Sequence, residues 1–488
     1  MHDVVLVYPK TGFDLKKTTD MPLSLLTVAS VIKDDFNIKI IDQRVENKWK
    51  RMLLAELEKT PLCVGISSMT GSQIGYGLRA AEMIKDYAAE NDTKTKVVWG
   101  GIHGTLLPEQ TIENKNIDIL VTGEGEFTFR ELVFTLARRG ELSKIRGIYY
   151  KSDGRIIKTR EREVADINEM PEIAYELVDI EAYVNSKSMI TDDVNRVLPF
   201  ISSRGCPYQC TFCCNPKLSR RRWRPLGADK TYERIKRMVD DYDLDGIVFY
   251  DENFLANPDR AMKIACLINN KFSWSIQGRM DAISRINIKK LDKMGLRMVQ
   301  PGIESGSDRI LKLIKKGETK RDMELANQRL AKTDIIPVYN FMVGFPTETY
   351  EDIKDTVDFS LKLMDENEKA EIAGFYILVP YPGTEVFDLA VKEGFVPPKS
   401  LEEWSKFDRQ HNETPWVKNN QDLLNSLMLI SKIIDGKRIE KFIGVKPLRY
   451  PLKLFGYYYR GMWKRHRLES RLTKILAKSL LGMTKFVR

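Results

Sequence analysis

The chain opens on an unbroken apolar run, Val4-Val-Leu-Val-Tyr8. Four more follow: Ile38-Lys-Ile-Ile-Asp42, Cys63-Val-Gly-Ile-Ser67, Lys96-Val-Val-Trp-Gly100 and Ile117-Asp-Ile-Leu-Val121. Runs of this length predict strands buried on both faces, and the stretches between them, such as Leu23 to Ile32 and Gly75 to Tyr87, have helical spacing. Strand and helix in alternation predict a doubly wound parallel sheet, with ligands at the carboxyl ends of its strands. The alternation restarts at Val197, with strands at Leu198 to Ser202, Gly246 to Tyr250, Ser273 to Gln277, Arg297 to Ile303, Ile335 to Val343 and Ala373 to Val379. Six strand–helix units predict a partial (β/α)6 TIM-like barrel, short of the eight that close one. After about residue 400 only helical spacing remains, as from Gln421 to Ile434. The expected organisation is residues 1–140, a first α/β domain; 141–195, a linker with a hairpin around Ser152-Asp-Gly154; 196–400, the barrel; and 401–488, a small helical region.

Composition and charge narrow the class. Hydrophobic content of 43% and charged content of 30% are globular values. The net charge of +10 is concentrated, because residues 441–488 carry thirteen Lys or Arg against Glu469 alone, leaving −2 for everything before them. Nucleic-acid binding by the body of the chain is therefore not expected. Six cysteines in 488 residues, four of them in one loop, argue against a secreted disulfide framework and for a reducing cytoplasm.

That loop is Ser203-Arg-Gly-Cys-Pro-Tyr-Gln-Cys-Thr-Phe-Cys-Cys-Asn215, with Cys206, Cys210 and Cys213 spaced C-x3-C-x2-C. A redox pair with a bystander, or buried small hydrophobes, are the plain readings. Clustering within nine residues, between turn residues Gly205 and Pro207 and aromatics Tyr208 and Phe212, favours metal ligands instead. A structural zinc site wants four ligands, and the nearest histidines along the chain are His103 and His411. Three thiolates on a four-iron cluster leave one iron open to bind a small molecule. Cys214 is read as a bystander, since adjacent side chains rarely reach one metal, and Cys63 and Cys266 as buried small hydrophobes.

This spacing, with Phe212 just before the last cysteine, resembles the signature of the radical S-adenosylmethionine (SAM) superfamily. The resemblance implies a [4Fe-4S] cluster on Cys206, Cys210 and Cys213 whose open iron chelates SAM. One electron into the sulfonium would then release a 5′-deoxyadenosyl radical able to take hydrogen from an unactivated carbon. It also implies SAM contacts at successive strand ends. These are Phe212; Asp251 and Glu252 near the amino group; Arg279, able to fork onto a carboxylate; Glu304 as a ribose or methionine acceptor; and Gly344.

The strand ends of the first domain read Ser67-Ser-Met-Thr-Gly71, Gly100-Gly-Ile-His-Gly104 and Gly123-Glu-Gly-Glu126. Taken alone, such glycines suit tight turns as well as close approach to a ligand. A flavodoxin-like (Rossmann-type) domain with these turns, ahead of a radical SAM signature, resembles the cobalamin-binding domain of B12-dependent radical SAM enzymes. It implies corrin contacts from Ser67, Ser68, Gly100, Gly101, His103, Gly123, Glu124 and Gly125. The Asp-x-His-x-x-Gly motif of other B12 proteins is absent, so His103 is expected near the corrin and not on cobalt.

What the resemblance implies is methylation of an unactivated carbon in a hydrophobic or lipid-like substrate, with electrons from a reductase, flavodoxin or ferredoxin. Cyclisation, rearrangement or carbon–carbon coupling is the alternative. Methylthiotransferases carry three further N-terminal cysteines where this chain has only Cys63, and a non-catalytic iron–sulfur or corrin-binding protein is the rival from another class. In the tail, Leu472, Ile475, Leu476, Leu480, Met483 and Phe486 recur at helical spacing among Arg471, Lys474, Lys478 and Lys485. That pattern suits either a helix packed on the protein or peripheral contact of residues 441–488 with the inner membrane face.

Overall fold

The computed structural model describes residues 2–12, 20–184, 190–191, 193–407, 412, 414–437 and 446–474. Two compact units form, Met1–Ser186 with Pro397–His411, and Lys187–Val396 with Asn412–Arg488.

In the first unit, β1 (Val4–Tyr8), β2 (Ile38–Asp42), β3 (Cys63–Ser67), β4 (Lys96–Gly100) and β5 (Ile119–Val121) are parallel. β6 (Ile148–Ser152) and β7 (Arg155–Lys158) extend the sheet antiparallel, in the order β2-β1-β3-β4-β5-β6-β7. The apolar runs became central strands because both faces are covered: Val4, Val5, Leu6 and Val7 are all buried. The hairpin expected within a linker instead joins this sheet. Its Ile148, Tyr149 and Tyr150 are buried, and pairing with β5 satisfies their backbone. Residues 397–407 also return to this unit. The Leu401–Trp404 helix packs on the Ser72–Asn91 helix, and Asn114 donates to the Glu402 carboxylate.

The second unit is a six-stranded parallel sheet, β15-β14-β13-β12-β11-β8. Its strands are β8 (Val197–Phe200), β11 (Gly246–Phe249), β12 (Ser273–Gly278), β13 (Leu296–Glu304), β14 (Ile336–Val343) and β15 (Glu371–Ile377). A two-stranded ribbon pairs β9 (Ser203–Arg204) with β10 (Arg224–Pro225). Val197, Val248, Met298, Val338 and Ala373, near the strand beginnings, pack with Ile190 and Val194 into one cluster. That end is therefore a filled core, and the polar residues gather at the other, where barrel chemistry resides. The Gln421–Ser431 helix packs on β15, and the Lys446–Trp463 helix buries Tyr459 and Trp463 while Asp365 takes both Arg460 and Lys464. Among the described residues no helix is long and apolar enough to cross a membrane. Of the tail positions at helical spacing, Leu472 is exposed, whereas Ile475, Leu476, Leu480, Met483 and Phe486 lie outside the described residues.

Candidate active site

The cysteine loop leaves the carboxyl end of β8 and is pinned on both sides. A Cβ on Gly205, whose φ is +83°, would stand 2.1 Å from the Arg222 carbonyl oxygen, so the β9–β10 ribbon requires glycine there. The Thr211 N–H donates to the Ile314 carbonyl at 3.0 Å, and the Val386 N–H to the Thr211 carbonyl at 3.0 Å. The Cys213 N–H donates to the Cys210 carbonyl at 3.1 Å, and the Cys213 Sγ accepts from the Asn215 N–H at 3.4 Å. The Cys214 carbonyl instead caps the short Asn215–Leu218 helix. All four thiols are part-buried. Burial pushes Cys206 and Cys210 up and Cys213 to about 12, against which Lys316 and Arg279 ease Cys210 down. A thiol so raised is a poor free nucleophile, and a bound metal is what removes its proton. Among the described residues no group of three or more His, Cys, Asp or Glu side chains is already gathered to hold a metal ion, the loop cysteines included. Cys63 is buried as expected, but Cys266 is exposed on the Pro258–Ile268 helix, which corrects its reading as a core residue.

The neighbouring strand ends carry a buried charge network. Arg279, after β12, stacks 3.7 Å over the Tyr208 ring of the cysteine loop, and its Nε donates to Asp281 Oδ1 at 3.0 Å. Glu304 closes β13 at a φ of +67°, unusual for a residue with a side chain. Its carboxylate folds back over Gly302, where a Cβ would lie 2.0 Å from Oε1. Lys316 Nζ stands 3.4 Å from Glu304 Oε1 and 3.3 Å from Glu318 Oε2. Burial pushes the Glu304 carboxyl up while Lys316 pulls against it. Burial pulls the Lys316 ammonium down, but the two glutamates more than offset it and hold it above its ordinary value. Arg279 Nη2 and Glu318 Oε2, 3.6 Å apart, have no hydrogen-bond partner among the described residues, and neither do both polar atoms of Asn253 nor Glu348 Oε1.

The remaining positions divide. Asp251 is wholly occupied within the sheet: Oδ1 accepts the Ser202 N–H at 2.7 Å, and Oδ2 accepts the Ser202 and Ser203 hydroxyls at 2.6 and 2.5 Å. Glu252 lies at the surface, accepting the Gly205 N–H at 3.1 Å. Phe212 is part-buried in the loop. Gly344, after β14, is held by Glu348 Oε2 at its N–H and by Trp416 Nε1, which donates to its carbonyl at 2.8 Å. Lys316, Glu318 and Asn253 were not singled out by their sequence pattern.

In the first unit, hydrogen bonds draw three strand ends into one cradle. The Ser68 N–H donates to the Gly100 carbonyl at 3.1 Å, Trp99 Nε1 donates to the Ser68 hydroxyl at 3.1 Å, and the Gly123 N–H donates to Thr105 Oγ1 at 3.0 Å. Gly101, with a φ of +98°, brings backbone so close that a Cβ would stand 2.5 Å from the Ser68 carbonyl oxygen and 2.9 Å from Ser67 Oγ. Glu124 and Gly125 begin the Gly125–Ala137 helix. Met69 and Ile102 are exposed at the rim, an apolar surface that glycine spacing did not reveal. His103 is fully buried, with Nδ1 2.9 Å from Thr70 Oγ1, its ring edge-on to Trp404 at 5.6 Å, and Nε2 without a partner among the described residues. Burial holds it down at about 4, so the ring is neutral near pH 7.

A family model described as the radical SAM superfamily matches residues 200–360, and one described as the B12 binding domain matches residues 18–133. An uncharacterised methyltransferase of Pyrococcus horikoshii is 32% identical over 400 residues, 80% of this chain and 83% of that protein. The chain belongs to the cobalamin-dependent radical SAM enzymes. The cobalamin-dependent SAM radical enzyme OxsB, solved with aqua-cobalamin and SAM bound, shares the enzyme's fold. Its TM-score is 0.74 at 18% identity, over 99% of this chain and 75% of that one. An anaerobic magnesium-protoporphyrin IX monomethyl ester cyclase of Cereibacter sphaeroides is 26% identical over 306 residues, 59% of this chain and 47% of that protein.

The enzyme's cofactors are a [4Fe-4S] cluster, SAM and cobalamin. Its residues fit them. Three thiols of a C-x3-C-x2-C loop suit a cluster with one open iron, Arg279 Nη2 and Glu318 Oε2, ion-paired but without a hydrogen bond among the described residues, suit a zwitterionic ligand, and a glycine cradle with an apolar rim suits a broad macrocycle.

Proposed function

We propose that the enzyme transfers a methyl group to an unactivated carbon of a hydrophobic or lipid-like small molecule. When bound, the cluster supplies electrons, SAM the radical and the methyl group, and cobalamin the methyl carrier. Cys206, Cys210 and Cys213 would hold the cluster, with Cys214 left to cap its helix. Arg279, Glu304 and Gly344, joined by Glu318 and Asn253, would orient SAM. Phe212 would flank it. Glu252 would contribute from the rim, while Asp251, saturated by Ser202 and Ser203, would fix the loop that carries them. Ser67, Ser68, Gly100, Gly101, Gly123, Glu124 and Gly125 would bear the corrin by backbone and small side chains. Neutral His103, packed by Thr70 and Trp404, would support that cradle without reaching cobalt.

The observation that carries this reading is the presence, in one chain, of a glycine cradle suited to a flat macrocycle and a three-thiol loop beside buried charges that lack hydrogen bonds among the described residues. Tyr450, Leu454, Tyr457 and Tyr458, exposed along the Lys446–Trp463 helix, support docking of the basic tail on an anionic lipid surface near an apolar substrate. The test is anaerobic incubation of reconstituted enzyme with methyl-labelled SAM, cobalamin, a reductant and a lipid extract. Label in an extracted product supports methyl transfer, whereas a transformed product without label favours cyclisation, rearrangement or coupling.

A further inference from the structure

Lysine is almost never buried unless paired, yet the Lys316 side chain is only 7% exposed and stands between two carboxylates, those of Glu304 and Glu318, exposed by 11% and 0%. Three local costs meet there. Glu304 takes a left-handed backbone, Gly302 gives up a side chain inside a strand to make room for the Glu304 carboxylate, and a cation is desolvated. β13 also slips register against β14 between Gly302 and Glu304. Costs concentrated on one carboxylate point to a ligand and not to stability, since a buried ion pair is weak evidence for stability.

The charges favour a particular ligand. Arg279 and Lys316 face Asp281, Glu304 and Glu318, an excess of one negative charge. Glu318 Oε2 lies within ion-pair reach of Lys316 but hydrogen-bonds to neither cation. SAM, with a sulfonium and an ammonium against one carboxylate, carries the complementary single positive charge. The segment bearing Lys316 is itself bound to the cysteine loop, through the Thr211 N–H to the Ile314 carbonyl at 3.0 Å and the Thr211 hydroxyl to the Leu313 carbonyl at 3.4 Å.

We propose that Lys316 is a positioning residue: it fixes Glu304 and Glu318 at the end of β13 so that the pair receives the cationic part of SAM, and it sets a positive charge beside the cluster loop. This rests on the reading of the site as SAM at a [4Fe-4S] cluster and is indifferent to the fate of the methyl group.

The test uses full-length K316M, K316R, E318Q and K316M/E318Q, reconstituted anaerobically. Iron and sulfide content, the SAM dissociation constant by equilibrium dialysis, and the cluster midpoint potential by redox titration are measured. K316M should keep its cluster, bind SAM at least about tenfold more weakly and have a lower potential, with K316R restoring most of both. K316M/E318Q, which removes one charge of each sign, should bind SAM more weakly than E318Q, because Glu304 then loses its counterion as well. That comparison stands even if K316M alone does not fold. K316M with unchanged SAM affinity and potential, or K316M/E318Q binding SAM as tightly as E318Q, would overturn the inference alone. Wild type that assembles its cluster but binds no SAM would overturn the reading beneath it as well.

Discussion

The two units solve the same problem with opposite materials. Both place their candidate residues at the carboxyl ends of parallel strands, where open α/β sheets and barrels bind ligands. At the barrel ends the materials are charges: Arg279, Asp281, Glu304, Lys316 and Glu318 are buried together and imperfectly satisfied. In the first unit they are backbone and small side chains, with Gly101 pressed on Ser68 and Met69 and Ile102 exposed at the rim. A small zwitterion is recognised by point charges that burial strengthens. A wide macrocycle is recognised by the space left for it. Substitutions should therefore act through charge and ligation in one unit, and through volume in the other.

The largest effect should come from the thiols. C206A, C210A or C213A should each lose cluster iron and reduce 5′-deoxyadenosine formation to background, whereas C214A should retain both. Iron and sulfide analysis with product quantification checks this, and C214A behaving like the other three would break the three-ligand account.

Next is volume in the cradle. G101A forces a Cβ to 2.5 Å from the Ser68 carbonyl at a φ of +98° and should weaken cobalamin binding at least about tenfold, with strain of about 1 kcal/mol or more. The charged network should not notice. Titration of cobalamin by its absorbance checks the first expectation, and SAM binding checks the second.

A smaller effect concerns Glu348, whose carboxyl burial pushes up to about 8 although it accepts the Phe345 N–H at 3.2 Å. Between the ordinary carboxylate range and about pH 8 the folded state holds a proton that the unfolded chain has released. Stability is thus full below that window and falls as pH rises through it. The loss from pH 6 to 8 should be on the order of 2–3 kcal/mol, and E348Q should flatten it in denaturant titrations at the two pH values. An equal slope in E348Q would contradict the account.

The smallest effect is at the tail. Tyr450→Glu, Tyr457→Glu and Tyr458→Glu together should reduce co-sedimentation with anionic vesicles while leaving cluster and cobalamin content unchanged. Equal sedimentation of both proteins would remove the membrane proposal.

Much of this was legible in the chain because the information was local. Val4-Val-Leu-Val reads as a buried strand without reference to anything distant, and three thiols within one loop declare themselves. What escaped was tertiary. Lys315 and Lys316 are adjacent and chemically identical, yet Lys315 pairs with Glu385 at the surface while Lys316 is sealed between two glutamates. Trp404 comes directly after the barrel in the chain yet packs on His103 of the first unit, a return that no local pattern announces. Asp251 looked like a free carboxylate at a strand end, but the serines that saturate it lie on the preceding strand's exit. Burial and partner, not residue type, decide such cases.

The most direct test of the two-material account is one anaerobic reaction of G101A beside wild type, with SAM, cobalamin and reductant, quantifying 5′-deoxyadenosine and S-adenosylhomocysteine together. The account predicts that G101A still forms 5′-deoxyadenosine while S-adenosylhomocysteine falls at least about tenfold at limiting cobalamin. Equal loss of both products, or loss of neither, would contradict it.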